Sequence, residues 1–168
     1  MATTLNLEDA RPSTWAEGIE HAYYGSLPDG RSEMFVSPPI AGWTFAVGGL
    51  RRLTELQVSE WLSFLGDLSA KLGEIQYFNT YRVVEHHAWA KAVGGQIVRA
   101  FSYLGERQEI LADVGNRTPE EAELDLDYPS EHDVMRLAGR WSIDPSRIEE
   151  YESEPSLGLL GLFRLPMK

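Results

Sequence analysis

The run Glu85-His86-His87-Ala88-Trp89-Ala90-Lys91-Ala92-Val93-Gly94-Gly95-Gln96-Ile97-Val98-Arg99-Ala100-Phe101-Ser102-Tyr103-Leu104 decides the fold. Two strand-like stretches flank a Gly-Gly pair, the pattern of a hairpin closed by a two-residue turn. Primed hairpin turns need positive φ, which glycine adopts without a Cβ penalty. Pairing outward from that turn sets Ala92 opposite Ile97, Ala90 opposite Arg99, Ala88 opposite Phe101 and His86 opposite Tyr103. Upstream, Ile75, Tyr77, Phe78, Tyr81, Val83 and Val84 read as a further strand. Downstream, a turn at Gly105-Glu106-Arg107 leads to another at Glu109–Val114. The centre of the chain is therefore an antiparallel meander.

Further outward the period changes. Val58, Trp61, Leu62, Leu65, Leu68 and Leu72 form an amphipathic stripe, preceded by the capping box Thr54-Glu55-Leu56-Gln57 and stopped by Gly73. That helix is expected to pack across one face of the sheet with Trp61, Leu62, Leu65 and Leu68 buried. Glu33–Ser37 and Trp43–Gly48 read as short strands around Pro38-Pro39, extending the sheet to about 4–6 strands. Thr14 and Glu17 open a helix that runs to Tyr24, and Leu27-Pro28-Asp29-Gly30-Arg31 is a turn. Thr118-Pro119-Glu120-Glu121, Ser130-Glu131-His132-Asp133 and Asp144-Pro145 each start a helix, the second burying Val134, Leu137, Ala138 and Trp141. Leu157–Phe163 is apolar enough for a terminal strand or a docked tail. A meander followed by helices points to α+β rather than α/β, in a single domain over residues 1–168.

Composition narrows the function. The 168 residues are 43% hydrophobic, which suits a packed globular chain, and they include no cysteine. Disulfides, thiolate metal sites and a cysteine nucleophile are thereby excluded. A net charge of −11 argues against nucleic acid or an anionic membrane as partner. The start has neither a basic segment nor a long apolar one, so no secretion signal is expected, and no stretch approaches the ~18 apolar residues of a membrane span. A cytoplasmic location is the expectation. The charge is also uneven: Asp113–Glu154 holds 13 acids and 4 bases, a net −9. Such a block either solvates a face or meets a basic partner and steers its approach. Glu120, Glu121 and Glu123 are its candidate contact residues.

Catalytic and metal signatures do not emerge. His86 and His87 are adjacent in a strand, so they point to opposite faces and do not form a joint metal site. No nucleophile elbow or phosphate loop is present, so no catalytic residue and no cofactor is assigned. Arg82, Glu85, His86 and Tyr103 are the one polar grouping that could line a pocket, with a cross-strand network as the plainer reading. Trp43, Trp61, Trp89 and Trp141 fall on apolar faces and read as core.

Pro38-Pro39-Ile40-Ala41-Gly42-Trp43-Thr44-Phe45, the run Gln76–Lys91, Val98–Glu106 and Trp141-Ser142-Ile143-Asp144-Pro145 together resemble an uncharacterised family of bacterial cytoplasmic proteins, over about residues 33–163. The resemblance brings no catalytic motif with it. In size and acidity such proteins are similar to the immunity proteins of polymorphic toxin systems, which implies a basic protein partner, a cognate toxin. The leading expectation is thus a non-enzymatic binding protein that occludes a toxin's active site. A surface of Arg82, Glu85, Trp89 and Tyr103 is the fallback contact region. The alternatives are a small-molecule-binding or regulatory module, or an enzyme using Glu85 or His86 as acid or base.

Overall fold

The computed structural model of the protein describes residues 1–24, 31–48, 58–124, 126–151 and 156–164. Residues 27–30 of the expected turn and the capping box at 54–57 lie outside them. The fold is α+β, with two four-stranded antiparallel sheets in two compact units. One unit combines Met1–Gln57 with Tyr151–Lys168, and the other is the uninterrupted segment Val58–Glu150. No helix among the described residues is long and apolar enough to cross a membrane.

In the first unit the chain runs β1 (Glu8–Ser13), α1 (Trp15–Tyr24), β2 (Ser32–Val36) and β3 (Ala46–Gly48). Thr14 Oγ1 accepts from the Glu17 N–H at the start of α1, half of the expected capping box. The Glu17 carboxylate turns instead to Ser13 Oγ and Arg11. The last strand, β8 (Gly158–Phe163), lies between β1 and β2, giving the order β1-β8-β2-β3. The two short early strands therefore belong to this second sheet and do not extend the meander. Trp43 precedes β3 and bridges back to Ile40, only half-buried. Phe35, fully buried, anchors the core together with Ala22 and Leu160 under Trp15 and Ile19.

The second unit opens with α2 (Val58–Leu72), which runs to the C-terminal end expected from the sequence, where Gly73 at φ +94° stops it. Trp61, Leu65 and Leu68 are buried, while Leu62 lies at the edge of the stripe and is half-buried. The meander follows as β4 (Glu74–Tyr81), β5 (His86–Val93), β6 (Gln96–Leu104) and β7 (Glu109–Val114), in that spatial order. Val83 and Val84 lie in the β4–β5 turn, Val83 largely exposed. Gly94 and Gly95 form the two-residue turn, both at positive φ as a type I′ turn requires. The turn is clasped to α2, with the Gly95 N–H donating to Ser69 Oγ and Ser69 Oγ donating to the Gly66 carbonyl, each 2.9 Å.

The hairpin register departs from the sequence reading at one place. Ala92 faces Ile97 as expected, but Lys91 pairs with Arg99, leaving Val98 as the extra residue of a bulge. Beyond it every pairing slides by one: Ala90 faces Ala100, Ala88 faces Ser102, and His86 faces Leu104 rather than Tyr103. The bulge has a physical purpose. Without it Arg99 would share a face with Ala90; with it Arg99 joins the face of Trp89 and Phe101. Helices α3 (Pro119–Ala122) and α4 (Glu131–Trp141), each with a complete capping box, cover that second face. Small residues and Tyr77 fill the α2 side; Trp89, Phe101, Tyr103, Leu124, Leu126, Val134, Leu137 and Trp141 fill the other.

Candidate functional site

The part of the acidic block from Asp113 to Glu150 lies in the second unit, from the end of β7 to the turn after α4, while Glu152 and Glu154 lie outside the described residues. Each of its four bases makes an ion pair inside the block: Arg117 with Asp127, Arg136 with Asp133, Arg140 with Glu123 and Arg147 with Glu150. Those cations are held locally, by acids of the same block. Glu123 is 66% exposed. Glu120 is half-buried on α3. Its own backbone N–H and the Thr118 hydroxyl hold its carboxyl below the ordinary value, with Lys91 and Arg140 adding to this, so it stays ionised.

Glu121 is corrected from surface to core. It is 1% exposed, and its carboxylate accepts from Trp89 Nε1 at 2.9 Å, from Arg99 Nε at 2.9 and 3.0 Å, and from the Thr118 N–H at 2.8 Å. Arg99, equally buried, spends Nη1 on Asp113 and on the carbonyls of Ala100, Val114 and Gly115. A buried ion pair persists only when such bonds satisfy its remaining donors and acceptors. The sequence carried a trace of this pair: an arginine amid Val98, Ala100 and Phe101, and a glutamate in the third position of a capping box. The unrecognised bulge hid their meeting.

The fallback grouping does not converge. Trp89 is buried and stacked on Phe101, and Tyr103 is buried in the same core, so neither offers a contact surface. Arg82 and Glu85 stand in the exposed β4–β5 turn, Arg82 paired with Glu131. Glu85 adopts φ +52° and reaches His87 Nε2 at only 3.4 Å. His86 and His87 indeed point to opposite faces, as their register with Leu104 and Tyr103 shows.

One trio has the outline of a nucleophile, base and orienting group. His86 Nε2 is 2.9 Å from Ser102 Oγ, and His86 Nδ1 is 3.1 Å from Asn79 Nδ2. An amide nitrogen only donates, so Nδ1 must accept and Nε2–H must donate to the serine. A base that activates serine needs the opposite tautomer. Ser102 and His86 are both buried, and desolvation, with the positive charge available to His87, pushes the His86 pKa down. The trio works as a neutral cross-strand tie between β4, β5 and β6.

No family model matches this chain, and neither a curated protein nor a solved structure matches it.

Proposed function

We propose that the protein is a non-enzymatic binding protein whose second unit presents an acidic surface to a basic protein partner. In the form the sequence resemblance implies, it is a cytoplasmic immunity protein that neutralises a toxin by covering its active site. The observation that supports this reading is the charge of the second unit's Asp113–Glu150 segment, 11 acids against 4 bases, with all four bases paired within it. Such a field accelerates encounter with a cationic partner and repels anionic competitors.

The test is co-purification from the native host, followed by association kinetics at two salt concentrations. Reversing Glu120 and Glu123 to Lys, with the buried Glu121 left intact, should lower mainly the association rate. The melting temperature should fall by a few degrees at most, since Glu123 pairs with Arg140 only at the surface and Glu120 bonds only within the first turn of α3. Raising salt beyond ~0.15 M, where the screening length is about 8 Å, should slow association as well. Recovery of acidic or neutral partners alone, or a salt-independent rate, would defeat the reading.

A further inference from the structure

The connection from β7 to α3 carries the first carboxylates of the acidic segment, and little in its own sequence holds it in place. α3 spans four residues, far below the ~12–15 at which a helix persists by itself. Its order is supplied by the rest of the unit. Leu124, just after it, is buried in the core, and Trp141 Nε1 donates to Thr118 Oγ1 at 3.2 Å. Apolar burial is non-directional and leaves the helix free to rotate. The planar guanidinium of Arg99 fixes a direction. Its Nε donates to the two Glu121 oxygens at 2.9 and 3.0 Å, while Nη1 reaches the Asp113 carboxylate and the carbonyls of Val114 at 3.0 Å and Gly115 at 3.3 Å. One side chain thus grips both ends of the connection. Gly115, at φ +75°, seats it on the β6 bulge, since a Cβ there would fall 2.2 Å from the Val98 carbonyl oxygen.

We propose that Arg99 is the positioning residue of the acidic surface, clipping the Asp113–Glu121 connection to the sheet so that Glu120 and Glu123 meet a basic partner in one fixed arrangement. This role rests on the acidic-surface reading above and names what pre-organises that surface. Glu120 directly precedes Glu121, and Glu123 is the C-cap of the same short helix, so the seating of the Glu121 carboxylate sets where both point. A segment already ordered in the free protein loses less conformational freedom on binding, and the gain shows mainly as slower dissociation. Order and charge can be varied separately here. Arg99 and Glu121 are each 1% exposed and of opposite sign. Removing both charges together leaves the net charge at −11, and with it the long-range field that steers a partner.

The double variant Arg99→Met/Glu121→Gln removes both charges and keeps an acceptor for the Trp89 indole and the Thr118 N–H, which Glu121 also serves. Amide exchange is measured on the free full chain at Thr118, Glu121, Ala122 and Leu124, whose N–H groups bond within this turn. Exchange there should speed about tenfold or more relative to Ala90 and Ala100 in the meander. With the basic partner co-purified from the host, dissociation should quicken about tenfold while the association rate and its salt dependence hold. Gly115→Ala leaves every charge in place and should loosen the same four amides, through strain at positive φ and contact with Val98. It carries the test if the double variant loses protection throughout. Unchanged exchange at the four amides overturns the clip. Faster exchange with unchanged dissociation overturns the positioning role and leaves Arg99 a purely structural residue. If instead reversal of Glu120 and Glu123 fails to slow association, the acidic-surface reading itself falls, and the positioning role with it, whatever the exchange shows.

Discussion

Glu121 shows how much one side chain can hold. Its carboxylate caps α3, pairs with Arg99 and receives the Trp89 indole N–H. Truncation to alanine strands a buried guanidinium, an indole donor and a helix N-terminal amide together. Glu121→Ala should therefore cost about 3–5 kcal/mol in urea denaturation at neutral pH. A loss under about 1 kcal/mol would show that the pair is not what fixes α3 to the sheet. His86 makes a different prediction, one of sign. Burial lowers its pKa in the folded protein below the ordinary 6.5, so the unfolded chain takes up the proton first. Its contribution to stability is complete above about pH 6.5 and is lost as pH falls through the folded-state value. His86→Gln should flatten part of the decline in unfolding free energy between about pH 7 and pH 5. An unchanged slope would mean that the histidine carries no linked proton. The sequence made the residues of both networks visible but not their partners. Which acid an arginine meets depends on strand register, and a single extra residue, Val98, moved Arg99 to the other face.

At the scale of elements, periodicity was readable wherever one side of an element is buried by its own neighbours. α2 carries a strong apolar stripe that Gly73 stops, and the β5–β6 turn has two glycines at positive φ, so the body of the helix, its C-terminal end and the turn were legible. β1 was not, because its residues are nearly all exposed and polar and its form is imposed by pairing with β8. Packing also reverses a propensity in α1. Gly18 sits inside this helix, where alanine would ordinarily be better by about 1 kcal/mol. A Cβ there would fall 2.1 Å from the ring of the fully buried Phe35, which is also pressed from the strand side by Gly158. The ring is held edge-on by Trp15 at 5.4 Å and has nowhere to move. Gly18→Ala should thus destabilise by about 1–3 kcal/mol, the cost of overpacking. A stabilised variant in thermal denaturation would show that Phe35 can yield.

At the scale of the whole chain, topology decides what can stand alone. The second unit is a continuous segment with α2 on one sheet face and α3 and α4 on the other, so its core closes without residues from elsewhere. The first unit depends on a strand from the far end of the sequence: β8 pairs with both β1 and β2. Nothing local encodes that insertion, which is why neighbouring strands along the chain read as one sheet. The same fact separates two truncations. Ending the chain at Glu150 removes β8, the shared partner of β1 and β2, and should cost the first unit its near-ultraviolet signal from Trp15 and unfold it. Residues Val58–Glu150 expressed alone should unfold cooperatively, since a segment of this size, well above the ~40 residues below which staples are usually needed, encloses its own core. They should also keep most of the charge that would attract a basic partner, 17 acids against 9 bases. A fragment with helical far-ultraviolet signal but no fixed tertiary packing would show that the second core needs the first unit. A folded fragment that binds the co-purified basic partner as the full chain does would place recognition wholly within it.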